Sequence, residues 1–410
     1  MFKGSANVVL PTSIIGSLPR PHWYTATLGR CSFLEAMVNS RFREQYEDAV
    51  SSFLRAQEIA GIDICTDGDA HYDEEVGGMS WQSYPIRQMS GFAERAKPVT
   101  YAGGGAAFPR GHILHDVVEA RVLPRIVGPV GPGDLQYVAL WKTAQRMTKR
   151  PVKFGTILPE ILAASVEDEY YKDPVERTWA FSDVLNAELN LLADAGCQVI
   201  QMEEPMIHSV PARGKAFGKL DVDDLVKVFN NTSKGLRDKA EVWCHTCWGN
   251  PCQQRIWDQV QSYRPTLEAL NMVDADALTF ETCSVGPGDL HAIGKIIKEK
   301  KLSSVSSIIV PCRWSDRRKS RRSFAKRSNT SSRKGLSFRR IAEWVAKEWD
   351  AGTPVIKWSR WCWGRISSRR NSGSLRLNAS RRMRGIRSHL EARRTSLVVS
   401  AQISTEPKGW

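Results

Sequence analysis

The stretch WCHTCWGNP (243–251) carries a histidine and a cysteine at a spacing that could bind a metal ion. Residues i and i+2 of a β-strand point to the same face, so His245 and Cys247 can share one ion. Zinc binds three or four ligands drawn from His, Cys and carboxylates. Glu281 lies near the end of DALTFETC (276–283), the next predicted strand, and can supply a third ligand. The alternative for an isolated His-x-Cys pair is a buried histidine beside an unreactive core thiol.

These residues can bind one ion only if the strands that carry them end close together. The pattern of the sequence predicts such strands. Short β-branched runs alternate with amphipathic segments such as 42–61 and 173–196. This alternation is typical of a parallel sheet with covering helices. The strings TDGD, MEEP, HTC and FETC each close one predicted strand, which is where parallel α/β proteins place functional residues. We therefore predict an α/β fold of the TIM (β/α)8 barrel type, incomplete at its C-terminal strands.

The charge of the chain is divided unevenly. The 410 residues carry a formal net charge of +14, yet residues 303–410 hold 26 Lys and Arg against six Asp and Glu. The basic character therefore belongs to the last quarter and gives no general argument for nucleic-acid binding. No apolar run approaches 18 residues, so no membrane partner is expected. The first 21 residues make a poor signal peptide, which predicts a cytoplasmic protein.

Two domains are expected from this division. Residues 1–302 are predicted to form the catalytic barrel, with an insertion at about 86–136 that contains a hairpin and a glycine-rich loop. Residues 303–410 form an Arg-, Ser- and Trp-rich segment with little apolar periodicity, and we expect it to be poorly ordered.

Five strings resemble one enzyme family, in its order and at about its spacing. They are IIGS (14–17), TDGD (66–69), QMEEP (201–205), HTC (245–247) and TFET (279–282). Together they are similar to the C-terminal catalytic half of cobalamin-independent methionine synthase, in its short single-barrel form, over residues 8–302. The resemblance implies a zinc enzyme that transfers a methyl group to the thiol of homocysteine and forms methionine.

The resemblance also implies roles for particular residues. His245, Cys247 and Glu281 match zinc ligands. The substrate-binding residues that it implies are Ile15, Gly16 and Ser17 for the amino-acid carboxylate, and Asp69 and Glu203 for the ammonium group. The alternative for the two acidic residues is solvated loop charge.

The methyl donor is left open by the sequence. Family members of full length carry a tryptophan after the fourth strand that packs on the folate pterin, whereas LPEILAAS (158–165) has no aromatic residue. Methyltetrahydrofolate and a methylcorrinoid protein are both compatible donors.

The resemblance stops near residue 302, before two further family motifs. These are an Asp-His pair, whose histidine donates a proton, and an Asp-Cys-Gly, whose cysteine is the last zinc ligand. Residues 303–315 and 339–352 can be encoded so that the shifted reading phase gives VGVIDHRALQVE and SDCGMGREGMGRR. We therefore predict a frameshift near residues 302–304 that removes the proton-donating histidine, and leaves the last cysteine out of frame across the codons for Ile341 and Ala342.

Three functions follow from these observations. The first is zinc-dependent methyl transfer to homocysteine, impaired in this chain. The second is methyl or alkyl transfer to another small thiol on the same barrel. The third, which is not enzymatic, is an inactive barrel with a basic tail that binds nucleic acid.

Overall fold

A computed structural model of the chain divides it into two units, residues 1–360 and 361–410. The description that follows covers only part of the first unit. It comprises residues 4–6, 8, 11–16, 18, 23–24, 37–70, 80–93, 124–213, 219–247, 262–281, 287–305 and 355–358. Ser17, the glycine-rich run at 101–108 and most of 303–410 lie outside these residues.

The strands of this part form one large parallel sheet and one small antiparallel sheet. In chain order they are β1 (Thr12–Ser13), β2 (Ser90–Ala93), β3 (Arg125–Gly131), β4 (Phe154–Ile157), β5 (Val199–Glu203), β6 (Glu241–His245), β7 (Ala277–Glu281), β8 (Lys301–Val305) and β9 (Val355–Trp358). The large sheet has the order β1-β9-β8-β7-β6-β5-β4, and each pair in it is parallel. β2 and β3 pair antiparallel, within the range predicted as an insertion. The prediction of an α/β fold with a parallel sheet is confirmed.

The parallel sheet is not closed as a continuous ladder. Its two end strands are β1 and β4, and the segment between them makes single parallel bridges, Ser13 to Ile64 and Cys65 to Val152. The break in regular pairing therefore lies near the start of the chain. At the C-terminal side, where we expected the sheet to be incomplete, β8 and β9 supply paired strands.

Helices cover the large sheet and connect its strands. They are α1 (Ser40–Ala60), α2 (Ser80–Gln88), α3 (Tyr137–Gln145), α4 (Pro159–Ala164), α5 (Pro174–Asp194), α6 (Ser209–Arg213), α7 (Val222–Ser233), α8 (Leu267–Met272) and α9 (Pro287–Ile296). The start of α5 follows the predicted signals, because the Asp173 side chain accepts the Val175 N–H and Pro174 occupies the first turn. None of the helices in this part of the chain is long and apolar enough to cross a membrane.

The amino end of the large sheet is held by a buried polar cluster. Glu241, at the start of β6, accepts hydrogen bonds from the Ser5 hydroxyl at 2.9 Å, the Trp243 indole at 2.9 Å and the Lys301 ammonium at 3.1 Å. Each of these side chains is buried. Ser5 also donates its backbone N–H to Glu241 at 3.1 Å, so the N-terminal residues cover this end of the sheet. A buried carboxylate is tolerated here because its oxygens are well bonded and a cation faces it.

Candidate functional site

The carboxyl ends of β5 and β6 bring together two of the predicted site residues. Glu203 and His245 are register partners at the ends of these parallel strands. The carboxylate Oε2 of Glu203 lies 3.5 Å from Nε2 of His245. His245 is buried, whereas 27% of the Glu203 side chain is exposed. Glu203 therefore lies between the buried imidazole and the solvent-accessible side of the strand ends.

Cys247 and Glu281 both lie near a buried tyrosine, Tyr263. Glu281 ends β7, and its backbone N–H donates to the Tyr263 hydroxyl at 3.2 Å. Thr246 joins the two strands, because its N–H and hydroxyl both donate to the Thr279 carbonyl, at 2.9 and 2.7 Å. Burial raises the pKa of the Tyr263 hydroxyl, and the neighbouring Cys247 and Glu281 act in the same direction, so the hydroxyl stays protonated.

His208 holds the backbone at the predicted cysteine ligand. Its Nε2 lies 2.8 Å from the Cys247 carbonyl, and its ring packs on Tyr263 with the centroids 5.0 Å apart. Burial lowers the pKa of His208 to about 3, so the ring is neutral and Nε2 donates the hydrogen bond. Sequence reasoning missed both His208 and Tyr263, because each follows its strand by a distance that no spacing rule connects with Cys247.

The predicted carboxylate loop and Asp69 lie beside each other. Leu18 donates its N–H to the Gly68 carbonyl at 3.1 Å, which joins the loop after β1 to the turn that carries Asp69. Gly16, Gly68 and Asp69 all have left-handed backbone, with φ of 73°, 74° and 57°. Ile15 packs on the cluster around Trp243. Ser17, the third predicted residue of the loop, lies outside the described residues.

A buried lysine lies beneath these residues. Lys153 precedes β4, and its ammonium donates to the Ile14 carbonyl at 2.8 Å and to Oε1 of Gln201 at 2.5 Å. Burial lowers the pKa of Lys153, while the carboxylates of Glu203 and Asp69 act in the opposite direction. Burial likewise raises the pKa of Glu203, opposed by the Gln201 amide and by Lys153. The sequence did contain a signal, since a lysine inside the apolar strand PVKFGTI requires a partner.

Two further acids are buried next to this group. Glu204 accepts the N–H groups of Met206 and Ile207 at 3.0 and 2.9 Å. Glu160, at the start of α4, is 2% exposed, and its Oε1 meets no hydrogen-bond partner within the described part of the chain. Burial and the neighbouring Glu204 raise the pKa of Glu160 well above its ordinary value. Glu204 keeps the charge of the pair more readily, because backbone N–H groups stabilise the ionised form.

The predicted ligands offer the kinds of donor that zinc binds. Nitrogen, sulfur and carboxylate donors from His245, Cys247 and Glu281 lie at or just beyond the ends of two adjacent parallel strands. Within the residues that the structure describes, however, no three His, Cys, Asp or Glu side chains form a group arranged to hold an ion. Cys244 adjoins His245 in β6, and burial raises the pKa of its thiol well above the ordinary value.

The family of the chain follows from comparison with known proteins. Residues 10–304 match the model of the cobalamin-independent synthase, catalytic domain. The chain belongs to this family, which confirms the resemblance seen in the five strings.

Individual relatives support the same assignment. Methionine synthase from Sulfurisphaera tokodaii is 27% identical over 59% of this chain and 62% of its own length. The 2-hydroxypropyl-CoM lyase from Xanthobacter autotrophicus is 24% identical over 65% of this chain and 62% of its own length. The chain thus spans less than two thirds of the length of these curated relatives.

Two solved structures share the fold. A B12-independent methionine synthase from Shewanella, solved with selenomethionine, superposes with a TM-score of 0.55 at 23% identity, over 72% of this chain and 80% of that one. The protein from Listeria monocytogenes described as a putative vitamin-B12 independent methionine synthase gives 0.51 at 13% identity, over 86% and 92%. At these identities the likeness concerns the fold, which is the TIM-barrel type predicted from the sequence.

Proposed function

We propose that the protein is built for zinc-dependent transfer of a methyl group to the thiol of homocysteine, and that this chain performs it poorly. The observation that carries the proposal is the contact between Glu203 and His245 at adjoining strand ends. In this proposal, the residue that binds the ammonium group of the acceptor lies beside a residue that binds the metal.

The chemistry requires a thiolate, and a bound zinc ion would supply it by lowering the pKa of the coordinated thiol. His245, Cys247 and Glu281 would hold that ion. Asp69 and Glu203 would bind the ammonium group of the acceptor, and Ile15, Gly16 and Ser17 its carboxylate. The thiol first loses its proton; its sulfur then forms a bond to the methyl carbon, and the bond between that carbon and the donor breaks, with the electron pair leaving on the donor. Methyltetrahydrofolate or a methylcorrinoid protein would supply the methyl group.

The impairment is inferred from the region after residue 302. The match to the family model ends at residue 304, within β8. This agrees with a reading-frame change near residues 302–304, after which the expected proton donor and last cysteine ligand are out of frame. Residues 303–410 would then be a misread continuation of the same barrel.

A second candidate is alkyl transfer at another small thiol. The similarity to a relative named 2-hydroxypropyl-CoM lyase favours it. The two acids Asp69 and Glu203 favour an acceptor that carries an ammonium group, since carboxylates bind cations through charge-assisted hydrogen bonds. Homocysteine has that group, so these two acids favour the first candidate.

The test compares the chain as it stands with a version in which the shifted phase is restored. We expect the restored protein to bind about one zinc ion per chain and to methylate homocysteine when given methyltetrahydrofolate or a methylcorrinoid protein. The present chain should bind zinc weakly and show little transfer. Elemental analysis after dialysis and product detection by mass spectrometry measure these quantities.

Two histidine variants control for general damage. In the restored protein, His245→Ala should lose zinc, whereas His291→Ala, at an exposed position of α9, should retain it. Zinc bound equally by both variants, or a restored protein that methylates no thiol, would count against the proposal.

A further inference from the structure

Lys153 is a buried cation for which neither the metal site nor the substrate roles account. Its side chain is 3% exposed, and its Nζ lies 5.4 Å from the centroid of the Trp243 ring. Its two hydrogen-bond acceptors belong to different parts of the candidate site. The Ile14 carbonyl directly precedes the predicted carboxylate loop, and Gln201 lies two residues before Glu203 on the same face of β5.

The lysine fixes which way the Gln201 amide faces. An ammonium group has only donors, so it requires the carbonyl oxygen of the amide, Oε1. The amide nitrogen of Gln201 then points along the strand and donates to Oε1 of Glu203. That hydrogen bond leaves the second carboxylate oxygen, Oε2, on the side of His245, at 3.5 Å from its Nε2.

We infer that Lys153 and Gln201 are a pair of positioning residues that orient the Glu203 carboxylate. One oxygen is held by the amide, and the other is presented in front of His245. Neither residue needs to touch the substrate for this role. The identity of the ligand that meets Glu203, an α-ammonium group, rests on the proposed function, whereas the orientation of the carboxylate does not.

The chain contains a matched control for the loss of a buried lysine. Lys301 is 4% exposed and is hydrogen-bonded to a carboxylate of the same sheet, Glu241, at 3.1 Å. It lies at the amino end of its strand, away from Glu203. Lys301→Met should therefore cost stability, as Lys153→Met does, without disturbing the candidate site.

The first test is structural and needs no ligand. Crystal structures of the full chain carrying Lys153→Met, Gln201→Leu or Lys301→Met would give the distance from Glu203 Oε2 to His245 Nε2. We expect the carboxylate to rotate and the distance to rise clearly above its present 3.5 Å in the first two variants only. An unchanged carboxylate in both Lys153→Met and Gln201→Leu would overturn the inference.

The second test measures recognition of an ammonium group. Calorimetry would compare L-methionine with 4-(methylthio)butanoate, which has the same carbon chain but lacks the amine, on the same variants. Lys153→Met and Gln201→Leu should each reduce the preference for methionine by about tenfold, the size expected for one charge-assisted hydrogen bond. The double variant should lose no more than either single variant, since the two residues act as one unit. Lys301→Met should keep the preference of the starting protein.

The two tests separate the inference from the proposed function. If the carboxylate rotates as expected but the unmodified chain prefers neither ligand, the positioning role stands and the amino-acid acceptor is wrong. If Lys153→Met and Lys301→Met change the methionine preference equally, Lys153 is a structural lysine and the inference fails.

Discussion

At the scale of single residues, burial sets the charges around the candidate site. Lys153, Glu160, Glu204 and His208 are all at most 3% exposed. A buried side chain that has polar partners can remain charged or donate hydrogen bonds. One that has no such partner becomes neutral. The sequence located Glu203 and His245 by their strings, but it missed Glu160 and His208, and it could not assign the protonation of buried groups, because that depends on contacts between distant segments.

Glu160 offers a test of this principle through pH. Its pKa is raised by burial, so the folded chain keeps a proton that the unfolded chain releases above about pH 4.3. The contribution of Glu160 to stability is therefore fully present below that pH and is lost as the pH rises toward the folded pKa. Glu160→Gln should remove this loss, and its advantage over the unmodified chain should grow by roughly 1–3 kcal/mol between pH 5 and pH 8. Urea denaturation at each pH measures the difference.

A surface carboxyl serves as the comparison for Glu160. Glu169 forms an exposed ion pair with Arg125 at 2.8 Å, and Glu169→Gln should follow the pH profile of the unmodified chain. A Glu160→Gln variant that gains nothing between pH 5 and pH 8 would mean that the Glu160 carboxyl is ionised in the folded protein.

At the scale of elements, strand ends were predictable and strand neighbours were less so. TDGD, MEEP and HTC do lie at the ends of extended segments, and Phe280 and Glu281 of FETC end β7. The pairing of β9 with β1 and β8 was not predicted, since the basic composition of residues 303–410 gave no apolar pattern there. The contact from His208 to the Cys247 carbonyl was also missed. These residues follow β5 and β6, and spacing along the chain does not give the distance between the segments that follow two strands.

The start of β6 depends on one buried aspartate. Asp276 accepts the Val242 N–H at 2.8 Å and the Arg237 Nε at 3.0 Å, and it is 6% exposed. Asp276→Ala leaves both donors unsatisfied at the base of the strand that carries His245. We expect it to lower the free energy of unfolding by about 2–4 kcal/mol. Urea denaturation monitored by circular dichroism measures the change.

Asp274 provides a close control for Asp276. It pairs with the same arginine, Arg237, at 2.7 Å, but its side chain is 41% exposed. Asp274→Ala should therefore cost less than about 1 kcal/mol. Equal losses for the two variants would show that the backbone hydrogen bond to Asp276 contributes little.

At the scale of the whole molecule, the family match and the charge division coincide. The match covers residues 10–304, and the excess of Lys and Arg begins at about residue 303. A barrel needs all its strands to remove exposed edges, so a change of reading frame within β8 would affect solubility as well as chemistry. Such a change would keep His245 and Glu281 in frame and would put the last expected cysteine out of frame.

Sequencing the gene across codons 295–310 tests the frameshift directly. We expect the third-base phase beyond this point to encode the Asp-His and Asp-Cys-Gly strings. Expression of the restored reading frame should also give more soluble protein than the present chain, as judged by the soluble fraction after centrifugation. A gene whose shifted phase lacks both strings would leave residues 303–410 as a native basic segment. Salt-sensitive binding of RNA by the full chain would then support the nucleic-acid alternative.

Trp243 has a consequence for protein engineering. Its indole N–H donates a hydrogen bond to Glu241 at the amino end of the sheet. Its ring contacts the ammonium group of Lys153 on the side that faces the opposite end. A designer who transplanted only the loops and strand ends of this site onto another barrel would leave that connection behind. The transferable unit also includes the contacts that run from Glu241 through Trp243 to Lys153, and a host scaffold would have to accept a buried tryptophan between them.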